Sequence, residues 1–320
     1  MPARRLEIIQ LLWGVSALLV VLLHFQPVLR SEWPALASAL GHGHIGVDIF
    51  FILSGIVIYI STEDLRSRSA QAFLIRRFFR VVVPAWVAML LLALIKPPYL
   101  ETLLLSIFFI PLQNNHPPTY GYSFLIVAWT LTYEIIFYLI FAGTLCFRLG
   151  KRFRGWISGG MVVVTVVGVQ TLVGAYTLDA DSAGVLSEWA YFPVQIVSLL
   201  GNPLFLEFVI GLSLAHAYQC GAFTSMGRFR YGLLGLGLLV SALILAFQYR
   251  DGNGLTNSGL LAAVIVVCAL AVQSMIDTGG TRPQSFGLGL AQHLGDLSYS
   301  LYLIHPIVRA AVLSFPGLVP

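Results

Sequence analysis

Between Ile8 and Phe25 the chain reads IIQLLWGVSALLVVLLHF, a run with no formal charge at neutral pH, and runs of this kind recur to the C-terminal end. A bilayer core is crossed by about 20 apolar residues in a helix. Inside it every backbone polar group must be bonded within the protein, which leaves helices or closed barrels. Barrel strands alternate apolar and polar over about ten residues, whereas these runs are continuous. The 320 residues are 58% hydrophobic and 10% charged, with mean hydropathy +0.87, against about 25% charge in a soluble domain. The expected fold class is therefore an all-α polytopic membrane protein, one transmembrane domain over residues 1–320.

The runs place spans near 8–29, 44–62, 81–112, 123–147, 157–178, 191–219, 231–249, 258–276 and 293–315. Two are interrupted, at Lys96-Pro97-Pro98 and at Gly201-Asn202-Pro203. Broken helices are tolerated at membrane depth where protein or a cavity surrounds them. About nine to ten transmembrane helices are expected, because either broken region reads as one span or as two short helices. Arg4, Arg5, the first apolar run and Ala37-Ser38-Ala39 have the outline of a signal peptide. The run is too long for that, and the first span is expected to stay.

Cytoplasmic loops collect Lys and Arg. With the N-terminus cytoplasmic, one side holds Arg4, Arg5, Arg66, Arg68, Arg76, Arg77, Arg80, Arg148, Lys151, Arg152, Arg154, Arg228, Arg230 and Arg282. Only Arg30, Lys96, Arg250 and Arg309 remain, and Asp179, Asp181 and Glu188 fall on the other side with Pro320. The net charge of +4 does not point to nucleic acid as a partner. Cys146, Cys220 and Cys268 fit neither a disulfide framework nor a zinc spacing and read as packing residues.

His24, Asp48, Glu134, Glu207 and His305 lie inside apolar runs. An ionisable group at the centre of a membrane costs roughly 2.5–3.5 kcal/mol on insertion scales and marks a relay, a substrate path or a catalytic site by default. His24 lies about 24 Å from the start of its span at 1.5 Å per residue. A neutral imidazole there can take a proton from a hydroxyl, or it can simply bond a neighbouring helix. Asp48 enters from the outer side and should reach the same depth, where a carboxylate could orient the imidazole; bonding to local backbone is the plainer reading. His44 and Asp48 share a helix face, but two ligands make a weak metal site, and no metal is expected.

Arg76, Arg77 and Arg80 sit at a cytoplasmic helix entrance, with Arg76 and Arg80 four apart. Guanidinium groups bind phosphates through paired, charge-assisted bonds, although such a cluster is also an ordinary positive-inside anchor. Glu134, in Trp129-Thr130-Leu131-Thr132-Tyr133-Glu134, needs a partner from another helix. His305, before Pro306, reads as structural. The role of Glu207, just past the Asn202-Pro203 break, is undetermined.

Five blocks in order resemble acyltransferase family 3, the integral membrane O-acyltransferases, and within it the bacterial exopolysaccharide acetyltransferases of the succinoglycan type. They are the His24 span, Gly46-Val47-Asp48-Ile49-Phe50-Phe51 with Ser54-Gly55, Arg76-Arg77 with Arg80 and Pro84, Trp129-Thr130-Leu131 with Tyr133-Glu134, and Ser298-Tyr299-Ser300-Leu301-Tyr302-Leu303 with His305-Pro306. The resemblance implies transfer of an acyl group, acetyl in the first instance, from cytoplasmic acetyl-CoA to a hydroxyl of a sugar or exported polysaccharide, possibly lipid-linked, in a bacterial inner membrane. It makes His24 the catalytic base, Asp48 and Glu134 the membrane carboxylates, and Arg76, Arg77 and Arg80 a dock for CoA phosphates.

Two departures stand out. The family has an arginine separated from its histidine by ten residues, and at that position this chain has Trp13; an indole could instead stack on the CoA arm. The chain also ends soon after the His305-Pro306 span, so the family's last helix is expected to be missing. Two other readings stay open: a non-catalytic family member that binds glycan or lipid, and a proton-coupled transporter. Donor and base would occupy opposite halves of the membrane, so the thioester arm must reach through the bundle or the acyl group must be relayed.

Overall fold

The computed structural model describes residues 6–30, 32–62, 69–113, 116–147, 150–187, 193–245, 252–279 and 286–314. Of the residues in the topology argument, Arg4, Arg5, Arg66, Arg68, Arg148, Glu188, Arg250, Arg282 and Pro320 lie outside these ranges, as do the side chains of Lys151 and Arg152. The described helices are α1 (Glu7–Leu29), α2 (Pro34–Leu40), α3 (Ile45–Ser61), α4 (Ala70–Arg77), α5 (Val83–Ile95), α6 (Leu100–Ile107), α7 (Trp129–Leu145), α8 (Lys151–Val173), α9 (Val194–Leu200), α10 (Leu204–Gln219), α11 (Ala222–Ser225), α12 (Phe229–Leu243), α13 (Leu260–Thr278) and α14 (Phe286–Ser314). Among the described residues there is no strand, and one bridge pairs Asp179 with Gly254.

Among the described residues seven helical stretches are long and apolar enough to cross a membrane: Glu7–Leu29, Pro34–Ser61, Ala70–Ile95, Ile126–Leu145, Phe153–Val173, Leu255–Thr278 and Gln292–Ser314. The pair α9 and α10, bent by 48°, makes an eighth. The all-α membrane class is as expected, and the expected count of nine to ten is a little higher than the seven to eight among the described residues. The region 81–112 supplies one span, because α4, the wide turn Phe78–Val82 and α5 run on as one rod to Ile95, while α6 has only 8 residues. Of the stretch predicted at 231–249, the described part holds α12 with 15 residues, and 246–249 lie outside the described residues.

The Gly201-Asn202-Pro203 break is held by side chains. Asn202 donates from Nδ2 to the Ala180 carbonyl at 2.9 Å and accepts the Leu204 N–H at Oδ1 at 3.0 Å. Gln170 donates to the Gly201 carbonyl at 3.0 Å. The polar groups freed by the break are thus bonded inside the protein, as an apolar surround demands.

Helix α3 is the central element. It is buried on almost every side from Ile45 to Tyr59, as a helix apolar all round must be. It crosses α10 backbone to backbone: a Cβ on Gly55 would lie 2.3 Å from the Phe208 carbonyl, and one on Gly211 would lie 2.0 Å from the Ile52 carbonyl. Helices α1 and α14 form the most extensive helix pair. They run parallel and touch where Gly14 meets Leu294 and Gly295 meets Gln10, with hypothetical Cβ contacts at 2.7 Å in both cases. That contact sets their register, so His24 and His305, each about ten residues further on, reach the same level.

Candidate active site

At one end of the bundle the rings of His24 and His305 lie 5.0 Å apart between centroids, tilted by 53°. His24 Nδ1 is 2.8 Å from the Val20 carbonyl, and His305 Nδ1 is 3.3 Å from the Leu301 carbonyl. A carbonyl only accepts, so each Nδ1 carries the hydrogen and each neutral ring keeps its Nε2 lone pair. His305 is buried, and its Nε2 has no hydrogen-bond partner. His305, read from sequence as structural, is the aromatic neighbour of His24. Its place in an apolar run and in the Ser298–Pro306 block is the sequence signal for it.

His24 opens onto a cavity of about 610 Å³. Its other walls come from the end of α5 (Leu92, Ile95, Lys96), from Phe124 and Ile126 ahead of α7, and from Pro306, Arg309, Ala310, Leu313 and Ser314 on α14. The size lies within the range of small-molecule sites.

A narrow slot of about 40 Å³ lies deeper, lined by residues that include Trp13, Phe50, Ser54, Glu134, Tyr299 and Tyr302. Trp13 packs on Phe50 at 5.1 Å, Phe50 meets Tyr302 edge-on at 5.4 Å, and Tyr302 lies 6.1 Å from His305. Tyr302 is fixed by donating to the Val127 carbonyl at 3.1 Å, with Thr130 Oγ1 at 2.9 Å. Glu134 accepts from the Tyr138 hydroxyl and from Ser54 Oγ at 3.4 Å. The partner expected from another helix is Ser54, and a second comes from one turn further along α7 itself.

Tyr138 leads to the opposite end. The Arg77 guanidinium lies over the rings of Tyr138 and Phe73, at 5.1 and 5.4 Å, and donates to Ser61 Oγ at 3.1 Å. Arg76 and Arg80 are exposed. Between Arg76 and Arg80 the helix widens into the turn Phe78–Val82, which begins directly after Arg77. Arg80 lies within electrostatic reach of Tyr138 and Tyr299. One seam of residues thus joins the arginine end to the histidine end, through Arg77, Tyr138, Glu134, the slot, Tyr302, His305 and His24.

Asp48 is not on that seam. Its buried carboxylate accepts from Asn253 Nδ2 at 2.8 Å, the Gly254 N–H at 2.8 Å and Ser258 Oγ at 2.7 Å. The carboxyl of Glu207 is a further neighbour, fully buried, and no donor among the described residues reaches either of its oxygens. Pairing of Asp48 with His24, inferred from shared depth, is thereby corrected: depth does not specify direction around a helix, and α3 turns Asp48 towards α10 and α13. His44 meets the same loop through its carbonyl, which accepts from Asn253 at 3.2 Å. Around them Asp181 accepts the Asn253 N–H at 3.0 Å, and Asn257 donates to Asp179 at 2.9 Å. Burial pushes the Asp181 carboxyl up to about 6, assisted by Asp179 and Asp48 and opposed by the bonds from Asn253 and Asn257. No group of three His, Cys, Asp or Glu suited to a metal ion occurs among the described residues.

This architecture, with its histidine facing a cavity and arginines at the far end, accords with sequence comparison. Residues 7–315 match the acyltransferase domain of family 3, and the chain belongs to that family. Among its relatives is the exopolysaccharide production protein ExoZ of Rhizobium meliloti (strain 1021), 28% identical over 297 residues covering 86% of this chain and 81% of that protein. The acyltransferase MdmB of Streptomyces mycarofaciens is 26% identical over 281 residues, 83% of this chain and 68% of its own length. No solved structure matches the chain.

Proposed function

We propose that this membrane enzyme moves an acyl group, acetyl in the first instance, from cytoplasmic acetyl-CoA to a hydroxyl of a sugar in an exported polysaccharide. The similarity to the exopolysaccharide production protein supports the acceptor class. The observation that carries the reading is the 2.8 Å contact of His24 Nδ1 with the Val20 carbonyl in a residue that lines a substrate-sized cavity: with Nδ1–H engaged there, Nε2 of the neutral ring is the free base.

In this scheme the acceptor occupies that cavity and the N-terminus lies in the cytoplasm of a bacterial inner membrane. Arg76 and Arg80 hold the CoA phosphates at the far end, beside Arg77, which is fixed against Phe73, Tyr138 and Ser61. Nε2 removes the hydroxyl proton as the oxygen attacks the thioester carbonyl. The C–S bond breaks, and the imidazolium returns the proton to the departing thiolate. Glu134, with Tyr138 and Ser54, sits midway along the path of the pantetheine arm. The slot there has room for about a water or two, so the arm passes once Trp13, Phe50 or Tyr302 swings aside. Asp48 takes no part in proton transfer here; it and Glu207 anchor the 252–259 loop.

The test is incubation of detergent-purified protein with radiolabelled acetyl-CoA and a panel of glycan acceptors, alongside His24→Ala and Trp13→Arg. Transfer that disappears in His24→Ala supports the scheme. Transfer appearing only in Trp13→Arg would mark the natural chain as impaired, since the indole replaces the family's cation. Measurable CoA binding with no transfer in any variant would favour a non-catalytic binding protein.

A further inference from the structure

The cavity at His24 contains a second feature that base catalysis does not use. Among the described residues its walls carry two cationic side chains, Lys96 at the end of α5 and Arg309 on α14, and no acidic residue. Arg309 is half-buried, and its Nε is enclosed without a hydrogen-bond partner. It lies within electrostatic reach of His24 and His305. Among the described residues no carboxylate forms a salt bridge with either cation.

A guanidinium drawn into a partly apolar enclosure loses hydration and needs a compensating charge. Pro306, Ala310, Leu313, Leu92 and Ile95 keep the surroundings apolar. Arg309 stands one helical turn beyond His305, on the helix whose register to α1 is set by the Gly14 and Gly295 contacts. An anion bound there is therefore positioned relative to His24 Nε2. Orientation of a hydroxyl against a base is worth several kcal/mol of barrier, and Arg is suited to it because its planar fork grips carboxylate or phosphate at two points.

We propose that the acceptor is anionic, and that Lys96 and Arg309 bind a carboxylate or phosphate group on it while its hydroxyl faces His24. This rests on the acyltransferase reading above. The anion is either a sugar carboxylate or the phosphate of a lipid-linked sugar; the shared chemistry is a compact oxyanion next to the reacting hydroxyl.

The experiment measures equilibrium binding to detergent-solubilised protein, with no donor present. The probes are a radiolabelled methyl glucuronoside and its neutral methyl ester, and a farnesyl-phosphate-linked glucose with the neutral farnesyl glucoside. Each is titrated onto wild type, Lys96→Gln, Arg309→Gln, the double variant and Arg309→Lys, with folding checked by gel filtration. At least one anionic probe should bind tenfold or more tightly than its neutral counterpart, and weaken with added salt. The double variant should lose at least tenfold for that probe, and Arg309→Lys should recover part of it. The preferred anionic probe identifies the source of the charge. Equal binding of charged and neutral probes, no binding of any, or undiminished anion binding in the folded double variant would each overturn the proposal. The same samples are then given radiolabelled acetyl-CoA: anion binding without acyl transfer would sink the enzyme reading and leave the anion site standing.

Discussion

His24 and His305 face each other across the α1–α14 contact with ring centroids 5.0 Å apart, and each donates Nδ1–H to a carbonyl one turn earlier in its own helix. The two imidazoles therefore share one tautomer, and each keeps an Nε2 lone pair. Only His24 lines the large cavity; the His305 Nε2 is enclosed. The pair is thus unequal, with one ring placed for substrate and the other behind it.

That inequality predicts unequal losses. His24→Ala should lower acyl transfer by about 10²–10⁴-fold, the usual contribution of a general base. His305→Phe keeps a ring against His24 but removes the nitrogens, and should cost roughly tenfold in kcat, about 1.4 kcal/mol. Steady-state rates on purified variants decide it. Full activity in His305→Phe would make that ring packing and nothing more.

Asp48 should prove a stability residue. Asp48→Ala strands the donors of Asn253, Gly254 and Ser258 and leaves Glu207 alone in a buried site. Each orphaned group costs about 1–3 kcal/mol, so a large fall in thermal unfolding temperature in detergent is expected. The double variant Asp48→Asn with Glu207→Gln, which removes both buried acids and keeps an acceptor oxygen at position 48, should be milder and should retain transfer per folded molecule. A stable but inactive double variant would return these acids to the chemistry.

The arginines should separate by role. Arg77 is committed to Phe73, Tyr138 and Ser61. Its removal should destabilise by about 1–2 kcal/mol, the worth of two partly buried cation–π contacts and a hydrogen bond. Arg80 is exposed and close to the seam. Arg80→Ala should raise the donor KM about tenfold, an effect that shrinks at high salt, with unfolding unchanged. A donor KM unaffected by Arg76→Ala and Arg80→Ala together would remove the phosphate dock.

Asp181 supplies a pH dependence with a definite sign. Its folded value, about 6, lies above the ordinary 3.8. Between those values the folded state holds a proton that the unfolded chain has lost, so stability from this group is complete below about pH 4 and declines as pH rises to about 6. Unfolding temperature measured from pH 4 to 7 should show that decline in the wild type and a flatter curve in Asp181→Asn. Parallel curves would mean that the carboxyl is not held up by its surroundings.

Much of this was legible along the chain. His24, Glu134, Arg77 and Arg80 stand out by type and position and Trp13 by its departure from the family pattern, and the seam and its two ends bring them into one structural frame. Asp48 was singled out for the right reason, a carboxylate at membrane depth, but given the wrong neighbour. The ligands that hold it, Asn253, Gly254 and Ser258, lie more than 200 residues away, in a segment with no motif. Lys96 and Arg309 looked like stray charges outside the cytoplasmic count, and only the convergence of α5 and α14 put them on one wall.

What the sequence determined by itself is the class of solution. Apolar runs of helix length leave the backbone no partner but itself, so helices across a membrane follow from hydrophobicity and the strength of the peptide hydrogen bond. What the tertiary structure alone decided is which faces meet. Depth follows from residue number at 1.5 Å per residue, but rotation about the helix axis does not. It is set by close approaches such as Gly14 on Leu294 and Gly55 on Gly211, where the lack of a side chain lets two backbones touch. Those contacts turned His24 towards His305 and Asp48 away from both.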